Sequence, residues 1–199
     1  MSYCSRAGGK AALALGIVLA VCGPAQSQPD TFETAEAAFL AGVKGCQSRF
    51  QGIKARQPFD DPKAFRGFAP APDSRDAPGV RSLLLGVSDA LVLKGTLPPG
   101  SIGSVHVVIS RGGLPRCQTI ATDAPAAHQA ALAWFDDPKT AWATKGPEES
   151  SEDPFPMRSR LYGQPFQGNV GVGATLMWAT SDKRGAITAL STMSLARDR

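Results

Sequence analysis

The chain lacks much that would define it quickly. No run of about 18 apolar residues occurs, which excludes a bundle of membrane-spanning helices. Only 4 cysteines are present and glycine has no period, which excludes a densely stapled mini-protein and a collagen-like rod. Histidine is scarcer still, at 2 residues, and no CxxC spacing accompanies it. Four metal ligands of the usual kind do not assemble from that stock, and no resident cofactor is implied. The excess of base over acid is small, 21 Lys+Arg against 17 Asp+Glu, so nothing steers the chain towards nucleic acid. G-x-S-x-G, H-E-x-x-H and a supported S-x-x-K are missing, as are the P-loop lysine and the dinucleotide fingerprint.

What is present is an ordinary globular composition, 43% hydrophobic and 19% charged, somewhat rich in Gly and Pro. That much apolar material excludes extended disorder.

Residues 1–27 read as a secretory signal peptide. Arg6 and Lys10 supply the basic region, Ala11 to Cys22 the short apolar core, and Ala25-Gln26-Ser27 a small-x-small cut before Gln28. A lipoprotein cut before Cys22 is disfavoured, because branched Val21 stands where a small residue is usual. The rest, 28–199, has the length of a single domain. Without Arg6 and Lys10 its charge falls from +4 to +2. Export implies an oxidising compartment, periplasmic or extracellular, where Cys46 and Cys117 are expected to form a disulfide.

Within 31–56, Ala35, Phe39, Val43, Cys46, Phe50 and Ile53 recur at spacings of 3 and 4. This predicts an amphipathic helix with Cys46 on its buried stripe and a capped start near Thr31. Five prolines between 57 and 79 break regular structure and predict a crossing loop. Phe59, Phe65 and Phe68 there either pin the loop to the core or display an aromatic surface to a partner. Strands are expected at 83–88, 90–95, 105–110 and 117–122. In the third of these Val105, Val107 and Ile109 share one face and His106 points to the other.

A short helix follows, capped by Thr122 or Asp123, with Ala127, Ala131, Leu132 and Phe135 on its apolar side. Residues 139–167 read as irregular, with an acidic surface loop at 146–154. Residues 170–180 and 185–195 predict a β-hairpin whose Gly185 takes a positive φ. Strands in succession between helices predict an α+β fold: a mostly antiparallel sheet, the two helices on one face, and a C-terminal hairpin.

The functional candidates are few. Trp134 and Trp142, near the end of the second helix, are either core filler or the wall of a ligand groove. His106 and His128 are the available bases for a small hydrolase, though a lone histidine is a weak signal. The pattern points first to an exported, non-enzymatic domain that binds a protein or envelope ligand. An inhibitor or immunity-type protein acting on an envelope enzyme is the narrower version.

Overall fold

The computed structural model describes residues 31–84, 89–110, 114–152, 156–180 and 184–197. The expected signal peptide, its cysteines Cys4 and Cys22, and the 111–113 turn lie outside them.

Helix α1 spans Ala35–Lys54. Its cap is Thr34 rather than Thr31: the Thr34 hydroxyl accepts from the Ala37 N–H at 3.1 Å. The expected stripe faces inward, with Phe39, Val43, Cys46 and Phe50 buried. Gly42 lets α1 sit against the sheet, because a Cβ there would lie 2.6 Å from the Thr119 methyl. Arg49, which is not one of the stripe residues, is buried as well. Its guanidinium donates to the carbonyls of Pro58 and Phe59 and ties the following loop to the helix.

That loop is more ordered than its prolines suggest. Two short 3-10 turns, Pro62–Ala64 and Pro72–Asp76, flank a three-residue strand, β1 (Phe68–Pro70). Proline is tolerated at Pro70 because β1 is an edge strand, where the missing N–H removes no central bond. Helix α2 (Pro78–Leu84) then replaces the beginning of the strand expected at 83–88. Its proline start suits a first helical turn.

The sheet follows: β2 (Ala90–Gly95), β3 (Ser104–Ser110) and β4 (Arg116–Thr122), then helix α3 (Ala127–Phe135). The cap of α3 is Ala126, without a side-chain bond. Asp123, expected as a cap, instead takes φ 54° and accepts from the Gly185 N–H at 2.7 Å. It thereby joins the β4–α3 corner to the terminal hairpin. Gly185 does carry the positive φ expected of it, 74°.

Residues 139–167 are largely strand, against expectation. They hold β5 (Ala143–Thr144), β6 (Glu149–Ser151) and β7 (Met157–Gln167). Strands β8 (Val170–Ala179) and β9 (Ile187–Arg197) form the expected hairpin.

All pairings among the described strands are antiparallel, in the order β1-β2-β3-β4-β9-β8-β7-β5, with β6 also on β7. The fold is α+β. Helices α1 and α3 cover one face, over Val105, Val107, Ile109, Leu176 and Met193. On the other face Val80 of α2 packs on Ala90, Val92, Val108, Ile120 and Leu190. Cys46 of α1 and Cys117 of β4 are disulfide-bonded beneath α1. Among the described residues no helix is long and apolar enough to cross a membrane.

Candidate functional site

Register decides which side chains share the second face. One row runs Leu161–Thr175–Thr192–Gln118–Val108 across β7, β8, β9, β4 and β3. A second runs Ser159–Met177–Leu190–Ile120–His106–Lys94, and a third runs Gly163–Gly173–Ser194–Arg116. Helix α2 packs over the β2–β3–β4 end of these rows. The apolar cluster it joins extends to Leu190 and Met177 and includes no residue of β7.

The remaining end bears no charge in its centre: Leu161, Thr175, Thr192, Gly173, Ser194 and Ser159 line it. Leu161 is 39% exposed, one of the few large apolar side chains left in solvent. The Gln118 amide donates to the Thr192 hydroxyl at 3.3 Å. Charge appears only at the margins, on Arg116 at one side and on Lys145 and Glu149 at the other. The Lys145 stem lies across Gly163.

The outer sides of β2 and β7 are largely taken up by short segments. On the β2 edge, β1 pairs with residues 93–95, the Ala71 N–H donates to the Val92 carbonyl, and Arg75 donates to the Ala90 carbonyl. On the β7 edge, β5, β6 and the Lys145 N–H take up the same role. A partner adding a strand would find neither β2 nor β7 open along its length.

The two histidines are far apart in character. His106 is 3% exposed, its Nε2 is buried with no hydrogen-bond partner, and its pKa is lowered to about 4. Burial is the main cause, the neighbouring Lys94 adds to it, and Asp73 opposes it. His128 donates from Nδ1 to the Pro125 carbonyl at 2.8 Å, and its ring stacks on Trp178 with centroids 5.3 Å apart. Burial lowers its pKa as well, and the Pro125 bond opposes that shift. The residues bonded or stacked against these rings include no hydroxyl or thiol nucleophile.

The sequence-level aromatic candidates divide between two places. Phe65 is buried, Phe59 packs edge-on against Phe50, and Phe68 packs against Phe32 and Phe65. Trp142 is buried and Trp134 half-buried, and both meet Phe135, whose ring stacks on Tyr162. All five thus contact the α1–α3 layer, and none lies on the β7–β8–β9 end of the second face.

Beside Trp142 runs a chain of charge that sequence inspection missed. Tyr162 Oη donates to Asp136 at 3.1 Å, Arg160 bridges Asp136 and Glu148 at 2.8 and 3.1 Å, and Arg158 reaches Glu148 at 3.2 Å. Glu148 of the expected acidic loop is therefore engaged with β7. Burial pushes the Tyr162 phenol up to about 12, with Asp136 adding to the shift and the Arg160 contact opposing it. No group of three or more His, Cys, Asp or Glu side chains that could hold a metal occurs among the described residues.

Comparison with family models, curated proteins and solved structures finds no match for this chain.

Proposed function

We propose that the chain is an exported, non-catalytic domain that binds a protein of the cell envelope through the β7–β8–β9 end of its second sheet face. One observation carries this reading: among the described residues, uncharged Leu161, Thr175, Thr192 and Ser194 on β7, β8 and β9 keep part of their surface in solvent, while the apolar cluster with Val80 of α2 covers the β2–β3–β4 end of that face. Such a surface offers methyl groups, hydroxyls and one exposed leucine, which suits a neutral protein segment better than a highly charged ligand. The Cys46–Cys117 disulfide supports an oxidising compartment, and with the export signal it favours the periplasm or the exterior. An inhibitor of an envelope enzyme is the narrower form of the same proposal.

A hydrolase with His106 or His128 as base has less support. His106 Nε2 is shut away from solvent, and the nearest partners of both rings are structural.

A photo-reactive residue at position 175, in cells producing the protein, tests the proposal. One adduct of defined mass is expected, lost when Thr192→Lys is added and retained when Lys139→Glu is added on a remote surface. No adduct at position 175, or one indifferent to Thr192→Lys, would overturn it.

A further inference from the structure

His106 lies under a strap. Residues 71–84 cross the β2–β3–β4 end of the second face as the 3-10 turn Pro72–Asp76 followed by α2. The strap is fastened by a few bonds: the Ala71 N–H to Val92 at 2.9 Å, the Arg75 guanidinium to Ala90 at 2.6 Å, and the burial of Val80. Gly79 lets α2 approach Ile187 and Ile120, since a Cβ there would lie 3.0 and 3.3 Å from them. The opposite face is held independently, by α1, α3 and the disulfide.

Two charged groups act on the His106 ring: Lys94, its cross-strand partner on β2, and Asp73, carried by the strap itself. On β4 its partner is apolar Ile120, and its own strand presents Ser104 and Val108 on the same face. A neutral imidazole is tolerated there. An imidazolium needs an acceptor for each N–H, and Nε2 has none.

We propose that His106 is an acid-sensitive latch, whose protonation releases the 71–84 strap and uncovers the Val92, Val108, Ile120 and Leu190 surface. The strap is the part that gives way because it is one thin layer, and lifting it lets water reach the ring. Asp73 attracts the new charge, but burial and Lys94 outweigh it. The direction follows from proton linkage. The closed state binds its proton only near pH 4, and an opened strap leaves an ordinary histidine at 6.5. Between those values the open state holds more protons, so acid favours opening by about tenfold per pH unit. Over the interval from 6.5 to about 4 the gain approaches roughly 300-fold.

The test is native-state hydrogen exchange of the full chain from pH 7 to pH 4, expressed as protection relative to intrinsic exchange rates. The Ala71 and Arg81 amides, bonded to Val92 and Ala77, report the strap. Their protection is expected to fall by up to about 300-fold while β8 and β9 amides keep theirs. His106→Leu should abolish the fall. Lys94→Met, which removes the repelling cation, raises the closed-state pKa and should make the fall smaller and level off at higher pH, and this variant decides the matter if His106→Leu does not fold. Strap protection that falls equally in His106→Leu, an undiminished fall in Lys94→Met, or simultaneous loss in β8 and β9 would each overturn the latch.

Discussion

Removing the covalent link between α1 and β4 tests the fold at one point. Cys46 and Cys117 are 71 residues apart in sequence and almost wholly buried. A crosslink closing a loop of that size restricts the unfolded chain, and the loop-entropy relation gives roughly 4 kcal/mol at room temperature. Reduction leaves two thiols of nearly the same volume in place, so the cavity contribution is small. Cys46→Ala/Cys117→Ala deletes both sulfurs and should cost about 1–2 kcal/mol more, at the low end of core truncations. For a protein of this size, with a urea slope of about 2–3 kcal/mol per molar, the reduced midpoint should fall by about 1.5–2 M. In a thermal scan it should fall by about 10 °C or more. Urea titrations of oxidised and reduced protein, followed by circular dichroism, measure this directly. A loss below about 1 kcal/mol would refute the argument, and so would alkylation of Cys46 and Cys117 in unreduced, denatured protein.

Two further predictions use positions where the structure leaves little latitude. Gly42→Ala brings about 1 kcal/mol of helix propensity but puts a methyl 2.6 Å from Thr119 Cγ2 and 3.1 Å from Val107 Cγ2. Overpacking of that kind costs about 1–3 kcal/mol, so a net destabilisation is expected, relieved by Thr119→Ser; a stabilised Gly42→Ala would contradict the close approach. In a Tyr3→Phe chain, Tyr162 is the remaining tyrosine, and its absorbance should titrate near 12 in the folded protein and near 10 in denaturant. The unfolded phenol then loses its proton first, so stability should decline as pH rises from about 10 to 12. A folded midpoint at 10 would show that Tyr162 is not enclosed as described.

Where the sequence carried a period, it could be read. The 3–4 spacing from Ala35 to Ile53 gives α1, the alternation Val105–Val107–Ile109 gives β3, and Gly185 marks the hairpin. The cysteine pairing followed from compartment and count. The failures have physical causes. Leu83 and Leu84 belong to a short apolar run, in which helix and strand cannot be separated by period, and α2 ends there. Strand β7 shows no clean alternation, because both its faces are partly exposed and Arg158 and Arg160 serve the ion-pair chain. The burial of Arg49 could not be read from the pattern, because its partners, two loop carbonyls, are backbone atoms. The β7–β8–β9 surface was illegible for a different reason. Leu161, Thr175 and Thr192 become neighbours only through strand register, which no single segment encodes. The alternation placed His106 on the second face, but its isolation depends on the strap folding over it.

The middle of the sheet has a bearing on how the chain is made. Strand β4 pairs with β9, so the central seam joins residues 116–122 to residues 187–194. Until the chain has emerged through that last strand, there are two separate ribbons, β1 to β4 and β5 to β8, each with an open inner edge. A partly synthesised or truncated chain is therefore unfinished at its centre rather than frayed at its rim. Such a chain exposes backbone that invites pairing with its neighbours. Closure of the seam is the step that turns a long-range contact into a completed molecule, and it ties the maturation of this domain to the arrival of its final strand.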